Sequence, residues 1–218
     1  MAGGIVQGGI SGPVPPGLTV FETMRAENGA VALWPLHRDR LRQGCATVGF
    51  PLDMAQVQKV MEGLPRERIL RVRLTVDAAG TVGLTHQPLP PNPAFWRVTI
   101  SNLRLDSGDP WLRIKSSHRP VYDHVRATLA DDVDEAILLN ERGEVCEGTI
   151  TSLFLRRGDR FLTPPLACGL LPGVLRRSLI EGGRAKEARL LPADLARGEL
   201  FMGNALRGMT PARPVSAD

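Results

Sequence analysis

The sequence predicts a mixed fold, α/β of the α+β type, in two small domains, and three observations carry that expectation. Short alternating stretches that read as β-hairpins occur in both halves of the chain, and helical stretches with apolar residues three and four apart lie between them. With 218 residues and 43% hydrophobic content, the chain allows one large domain or two small ones with real cores. The stretch Asp106-Ser107-Gly108-Asp109-Pro110 reads as a linker, which gives an N-terminal domain over 1–103, a linker over 104–110 and a C-terminal domain over 111–218.

In order along the chain, 19–26 alternates as a strand, Glu27-Asn28-Gly29 turns, and 31–34 returns as its hairpin partner. Pro35 suits the first turn of a helix running to Val48, on which Leu36, His37, Arg40, Leu41, Gly44, Cys45 and Val48 share one face. An arginine on a mostly apolar face asks for an anionic partner, either a structural carboxylate or a ligand. A second helix over 52–63 needs only core packing. A hairpin follows over 69–76 and 81–84, then a proline-rich surface excursion over 88–93 and a strand over 96–103. In the second half, 111–115 reads as a half-buried strand, 121–129 as a helix, 136–139 with 144–147 as one hairpin, and 150–155 with 160–163 as another.

Composition excludes several function classes. The net charge of +4 is spread among acids rather than gathered in a stripe, and aromatics are 5% of the chain, so no nucleic-acid footprint is legible. The first sixteen residues lack a signal-peptide n-region and h-region, and no stretch nears the roughly twenty apolar residues of a membrane span. Cys45, Cys146 and Cys168 are odd in number and not at metal-ligand spacing, which suits reduced thiols, a cytoplasmic protein and no metal. Gly3-Gly4 and Gly8-Gly9 precede no helix and no Gly-Lys-Ser/Thr loop exists, so a nucleotide or dinucleotide site is not expected.

The chemistry concentrates between Ile114 and Phe154. The chain has three lysines, Lys59, Lys115 and Lys186, against twenty-four arginines, and Lys115 ends the apolar run Trp111-Leu112-Arg113-Ile114-Lys115. Partial burial lowers a lysine pKa, and an unprotonated amine can form a Schiff base. Glu147 closes the strand Glu144-Val145-Cys146-Glu147 just before Gly148-Thr149; a structural acid paired with Arg142 or Arg156 is its plain alternative. Gly169-Leu170-Leu171-Pro172-Gly173-Val174-Leu175 reads as a glycine-punctuated loop opening a helix, whose free amides suit an anion. An imine-forming lysine, an acid for a pyridine nitrogen and phosphate donors are what pyridoxal phosphate asks of a protein.

Six blocks extend the pattern: GLTVFETMR, LHRDRL, IKSSHRPVYDHVR, NERGEVCEGTITSLF, LTPPLACGLLPGVLR and FMGNALRGMTPAR, in that order from Gly17 to Arg213. Together they resemble the class IV aminotransferases, the fold-type IV pyridoxal-phosphate enzymes, and the aminodeoxychorismate lyase branch more than the branched-chain or D-amino-acid transaminases. The resemblance implies a D-amino-acid aminotransferase-like fold with the cofactor cleft between two small domains, and a homodimer with the cleft near its interface. It implies that Lys115 carries pyridoxal 5'-phosphate, that Glu147 pairs with the pyridine nitrogen, and that Arg40, the amides of Val174 and Leu175, and Asn204 bind the phosphate. Leu175 stands where many transaminases have threonine, and Ser152-Leu153-Phe154 where many relatives have Asn-Leu-Phe.

His118, Arg119 and Tyr122 follow the lysine closely, and the pair Tyr122-Asp123 resembles one in the lyase-like branch. Tyr122 could orient the lysine or the cofactor ring oxygen, or be a plain helix-face residue. Arg207 is a candidate for a substrate carboxylate or a surface ion pair. The activity implied is a lyase that releases pyruvate from 4-amino-4-deoxychorismate to give 4-aminobenzoate in folate synthesis. A transaminase of D- or branched-chain amino acids is the alternative, and an inactive binding protein on the same scaffold is the alternative from another class. All but the last expect a small-molecule amine or amino-acid substrate.

Overall fold

A computed structural model describes residues 10 and 12–215; Gly3-Gly4 and Gly8-Gly9 lie outside them. Strand β1 (Thr19–Glu27) buries Val20, Glu22, Met24 and Ala26 on one face, and the helices α1 (Trp34–Val48) and α2 (Met54–Glu62) pack against that face. Strand β3 (Leu70–Asp77) adds Leu70, Val72, Leu74 and Val76 to the same core. With β2 (Ala30–Val31) and β4 (Val82–Pro88) they make a four-stranded sheet in the order β2-β1-β3-β4. Leu41 and Leu74 are fully buried there, and truncating either to alanine costs about 2–5 kcal/mol. The opposite face, with Phe21, Thr23, Arg71 and Arg73, turns toward the second half of the chain.

The second sheet has eight strands in the order β10-β9-β8-β11-β12-β5-β6-β7. They are β5 (Trp96–Leu105), β6 (Glu135–Asn140), β7 (Val145–Gly148), β8 (Ser152–Arg157), β9 (Arg160–Thr163), β10 (Ala185–Glu187), β11 (Glu199–Asn204) and β12 (Gly208–Pro214). Every residue of β6 is buried, because Ile137 and Leu139 enter one core and Ala136 and Leu138 the other. Parallel pairing of β6 with β5, and of β5 with β12, requires crossovers, and helix α3 (Pro120–Ala127) lies on the first of them. Helices α4 (Val174–Glu181) and α5 (Pro192–Leu195) complete this half. The architecture is the expected mixed fold of two sheet-based layers with a cleft between them.

Three local expectations need correcting. Residues 31–34 do not all return as a strand: β2 ends at Val31, Leu33 adopts φ 57°, and Trp34 opens α1 with Pro35 in its first turn. Residues 111–115 are not a strand either. Asp109 accepts the N–H of Trp111 at 2.8 Å, and this cap with Pro110 winds Pro110–Arg113 into a 3₁₀ turn. Lastly, β5 joins the second sheet, so the change of sheet falls in the proline-rich stretch after β4 rather than over 104–110.

Candidate active site

Lys115 reaches the cleft through a short junction between the two halves. An isolated antiparallel bridge joins Val20 to Ser116, the N–H of Phe21 donates to the Lys115 carbonyl at 2.9 Å, and the N–H of Ser117 donates to the Thr19 carbonyl at 2.8 Å. The Lys115 ammonium lies 4.8 Å from the centre of the Phe21 ring and has no hydrogen-bond partner among the described residues. Burial, and next the nearby Arg40 guanidinium, push its pKa down to about 7. A large fraction of this amine is therefore unprotonated and nucleophilic at neutral pH.

Glu147, at the end of β7, faces the same cavity. The Tyr122 hydroxyl donates to its Oε1 at 2.7 Å and the Leu171 N–H donates to the same oxygen at 3.0 Å. Its Oε2 takes no donor among the described residues. Burial raises the pKa of this carboxyl to about 7, against the two hydrogen bonds that favour the anion. The structural alternatives for Glu147 are otherwise engaged, Arg142 with Glu144 and Arg156 with Glu199. Tyr122, whose own pKa is raised chiefly by burial, stays protonated and so orients the acid rather than Lys115.

The third corner is the start of α4. Gly173 caps it without a side-chain acceptor, so the first amides of the helix are free for an anion. A Cβ at Gly173 would sit 2.4 Å from the Ser152 hydroxyl, so a side chain here would force that hydroxyl to turn away. Arg40 arrives from α1 and donates to the Pro172 carbonyl at 3.2 Å. Its Nε and Nη2 donate to the two oxygens of Glu22 at 2.7 and 2.6 Å, and His37 Nδ1 also contacts Glu22 at 2.7 Å. Glu22 is fully buried, yet these partners hold its pKa down to about 2 against the opposing cost of burial.

Lys115, Glu147, Arg40, Val174, Asn204, His118, Arg119, Tyr122 and Arg207 all border one cavity of about 500 Å³. The Leu175 side chain does not line the cavity and packs with Phe154 and Leu179, which leaves only its amide, in the first turn of α4, for the expected role. Asn204 spends its amide on the Ile150 carbonyl at 3.1 Å and accepts from the N–H groups of Leu206 and Arg207, so it organises a turn. The Arg207 guanidinium is tied to Asn92 at 3.2 Å. His118 packs its ring on Trp111 at 4.6 Å, and Arg119 donates to the Thr149 carbonyl at 2.7 Å.

The structure adds residues that the sequence did not single out. Arg71 and Arg73 project from β3 into the cavity, and neither has a hydrogen-bond or ion-pair partner among the described residues. Arg73 lies over the Phe21 ring at 3.7 Å, and burial, then the charges of Arg71 and Arg119, lower its pKa. Their strand alternation was a signal for a polar face, not for what that face meets. The lining as a whole carries seven Arg and Lys side chains against the carboxylates of Asp123 and Glu147. A cavity so unbalanced is built for anions.

Comparison with known proteins agrees with this geometry. The family described as amino-transferase class IV matches residues 19–215, and the chain belongs to that family of enzymes. An aminodeoxychorismate lyase of Bacillus subtilis is 27% identical, over 89% of this chain and 76% of its own length. A probable branched-chain-amino-acid aminotransferase of Thermotoga maritima is 28% identical over the same shares. Among solved structures, a putative amino-acid aminotransferase from Mesorhizobium loti superposes with a TM-score of 0.85 at 39% identity, covering 91% of this chain and all of that one. No helix among the described residues is long and apolar enough to cross a membrane.

Proposed function

We propose that the protein is a pyridoxal-phosphate-dependent lyase that cleaves 4-amino-4-deoxychorismate to 4-aminobenzoate and pyruvate. Three features of the cavity support a place for the cofactor. Lys115 would hold its aldehyde, the unpartnered Oε2 of Glu147 would meet its pyridine nitrogen, and the first amides of α4 with Arg40 would take its phosphate. Bound there, pyridoxal phosphate supplies an electron sink for charge developing on the substrate. Lys115, with a pKa near 7, would take the proton from the ring carbon that bears the amine and deliver it to the methylene carbon of the departing enolpyruvate, so that the ring C–O bond breaks, the ring becomes aromatic and pyruvate leaves. Glu147 holds its proton-sharing geometry through Tyr122 and Leu171.

The observation that favours the lyase is the unpaired Arg71 and Arg73. Aminodeoxychorismate carries two carboxylates, so substrate and cofactor together bring three anionic groups to the cleft. Arg40 and α4 answer one of them, and the two β3 guanidiniums remain for the substrate. A branched-chain amino acid offers one carboxylate and an apolar side chain, and leaves this excess of cations unanswered. The lyase of Bacillus subtilis and the probable branched-chain aminotransferase of Thermotoga maritima are 27% and 28% identical to this chain, so the choice between them rests on the site.

The test is to incubate the purified protein, loaded with pyridoxal phosphate, with aminodeoxychorismate and follow aminobenzoate fluorescence, beside half-reactions with D-alanine and L-leucine. Aminobenzoate formation without conversion of the cofactor by either amino acid supports the lyase. Conversion by an amino acid with no aminobenzoate assigns the protein to the transaminases instead. A wild-type protein that takes up no pyridoxal phosphate removes both readings.

A further inference from the structure

One buried carboxylate stands directly behind the site and meets no candidate ligand. Glu135 opens β6 and is fully buried. Its Oε1 accepts from the N–H of Ala136 at 3.0 Å, the N–H of Thr149 at 2.9 Å and the Thr149 hydroxyl. Its Oε2 accepts from the N–H of Ile150 at 3.1 Å and the Thr151 hydroxyl at 2.9 Å. Three consecutive residues, 149 to 151, thus turn two backbone N–H groups and two hydroxyls toward one side chain. Arg126, which borders the cavity, donates to the Thr149 hydroxyl at 2.8 Å and lies 3.6 Å from Oε1.

The same turn shows its carbonyls to the cavity. Arg119 donates to the Thr149 carbonyl at 2.7 Å and Asn204 to the Ile150 carbonyl at 3.1 Å, while the Gly148 N–H closes the turn on the Thr151 carbonyl at 2.8 Å. A Cβ at Gly148 would lie 2.3 Å from the Thr151 hydroxyl, 2.7 Å from Met202 Cε and 2.9 Å from the Glu135 carboxyl carbon, so any side chain here would push on the groups that hold the acid. Glu147 immediately precedes this turn and Ser152, beneath Gly173, immediately follows it. We propose that Glu135 is a positioning residue: by gripping the 148–151 turn from behind it fixes Glu147, Ser152, Arg119 and Asn204 in the arrangement that receives the cofactor. This rests on the cofactor reading above but not on the choice between lyase and transaminase.

The test is Glu135→Gln. The amide keeps the size of the acid, but whichever way it is oriented its NH₂ faces a backbone N–H, of Thr149 and Ala136 or of Ile150, so the turn must open. Hydrogen–deuterium exchange of the apoprotein amides of Thr149 and Ile150 is expected to speed up about tenfold or more, with the amides of α2 unchanged, and the Kd for pyridoxal phosphate to rise about tenfold. Leu155→Ala, a cavity variant in the second core, serves as a control that lowers Tm without moving either readout. Wild-type exchange over the turn and wild-type Kd in Glu135→Gln, whatever its Tm, would overturn the proposal. If that variant does not fold, Thr149→Val removes one hydroxyl and leaves the acid's other bonds; a rise in Kd and exchange of about threefold supports the proposal, and no change sinks it. If wild type binds no pyridoxal phosphate, the cofactor reading fails and the exchange measurement alone decides whether Glu135 holds the turn.

Discussion

Two arginine sites in one cavity carry opposite messages. Arg40 is buried and spends most of its guanidinium on Glu22 and the Pro172 carbonyl, so most of its charge is answered inside the protein and only the remainder borders the cavity. Arg71 and Arg73 sit on an adjacent wall, with like charge beside them and no acid in contact. A buried pair is architecture: removing one partner strands a charge in a poor solvent. Cations left unanswered in a cleft are unfavourable for the empty fold and favourable only with an anion present, which marks them as ligand-facing. Changes at the first site should therefore register in stability and cofactor retention together, and changes at the second in substrate binding.

The largest effect lies outside that contrast and tests whether the cavity is catalytic at all. Lys115→Ala is expected to abolish turnover, about a thousandfold or more, and to end borohydride-stable labelling by pyridoxal phosphate while the fold is kept. Next, Glu22→Gln is expected to cost about 3–5 kcal/mol, read as a drop in denaturation midpoint, because Arg40 loses its counter-charge. The sign with pH follows from the Glu22 pKa of about 2, below the ordinary value. Its stabilisation is present above pH 4.5 and is lost as pH falls toward 2, so wild type and variant should converge in acid. A constant gap between them down to pH 2 would remove the ion pair as the cause.

The other half of the contrast is the double variant Arg71→Met, Arg73→Met. It should leave the denaturation midpoint within about 0.5 kcal/mol of wild type and raise KM for aminodeoxychorismate about a hundredfold, with pyridoxal phosphate affinity little changed. An unaltered KM would return these residues to the ordinary surface. Arg40→Ala is expected to do the reverse, weakening cofactor retention and stability together.

What the sequence made legible follows the reach of local rules. The face of α1 that carries His37, Arg40, Leu41, Gly44, Cys45 and Val48 is buried as the three-and-four spacing requires. The alternation of β3 shows that Arg71 and Arg73 share its polar side, but solvent and a cleft look the same from within one strand. Only the second sheet, placed across from it, turns that side into a cavity wall. Glu135 is hidden for a related reason, since all its donors but the neighbouring Ala136 N–H come from fourteen to sixteen residues later in the chain. Lys115 reaches its position by a different route from the one alternation suggests, because a cap on Asp109 replaced a strand with a 3₁₀ turn. Of the residues suggested by family likeness, Asn204 and Arg207 lie at the cavity with their polar atoms already engaged by the protein, which no motif could disclose.

The smallest effect separates Lys115 from Glu147 by the direction in which each bends the pH profile of the apoprotein. Glu147 has a pKa raised from the ordinary 4.5 to about 7, so the folded state binds more protons than the unfolded one between those values, and stability falls as pH rises through that window. Lys115 has a pKa lowered from 10.5 to about 7, so the unfolded state binds more protons above 7, and stability climbs again toward 10.5. The two together put a minimum near neutrality. Glu147→Gln should erase the acid limb, a change of roughly 2 kcal/mol between pH 4.5 and 7, and leave the alkaline climb in place. Saturating pyridoxal phosphate should flatten both limbs of wild type, because the amine and the acid then each have a partner. Denaturant midpoints across pH for wild type, Glu147→Gln and the loaded protein check this, and an acid limb that survives in the variant would assign that titration to another group.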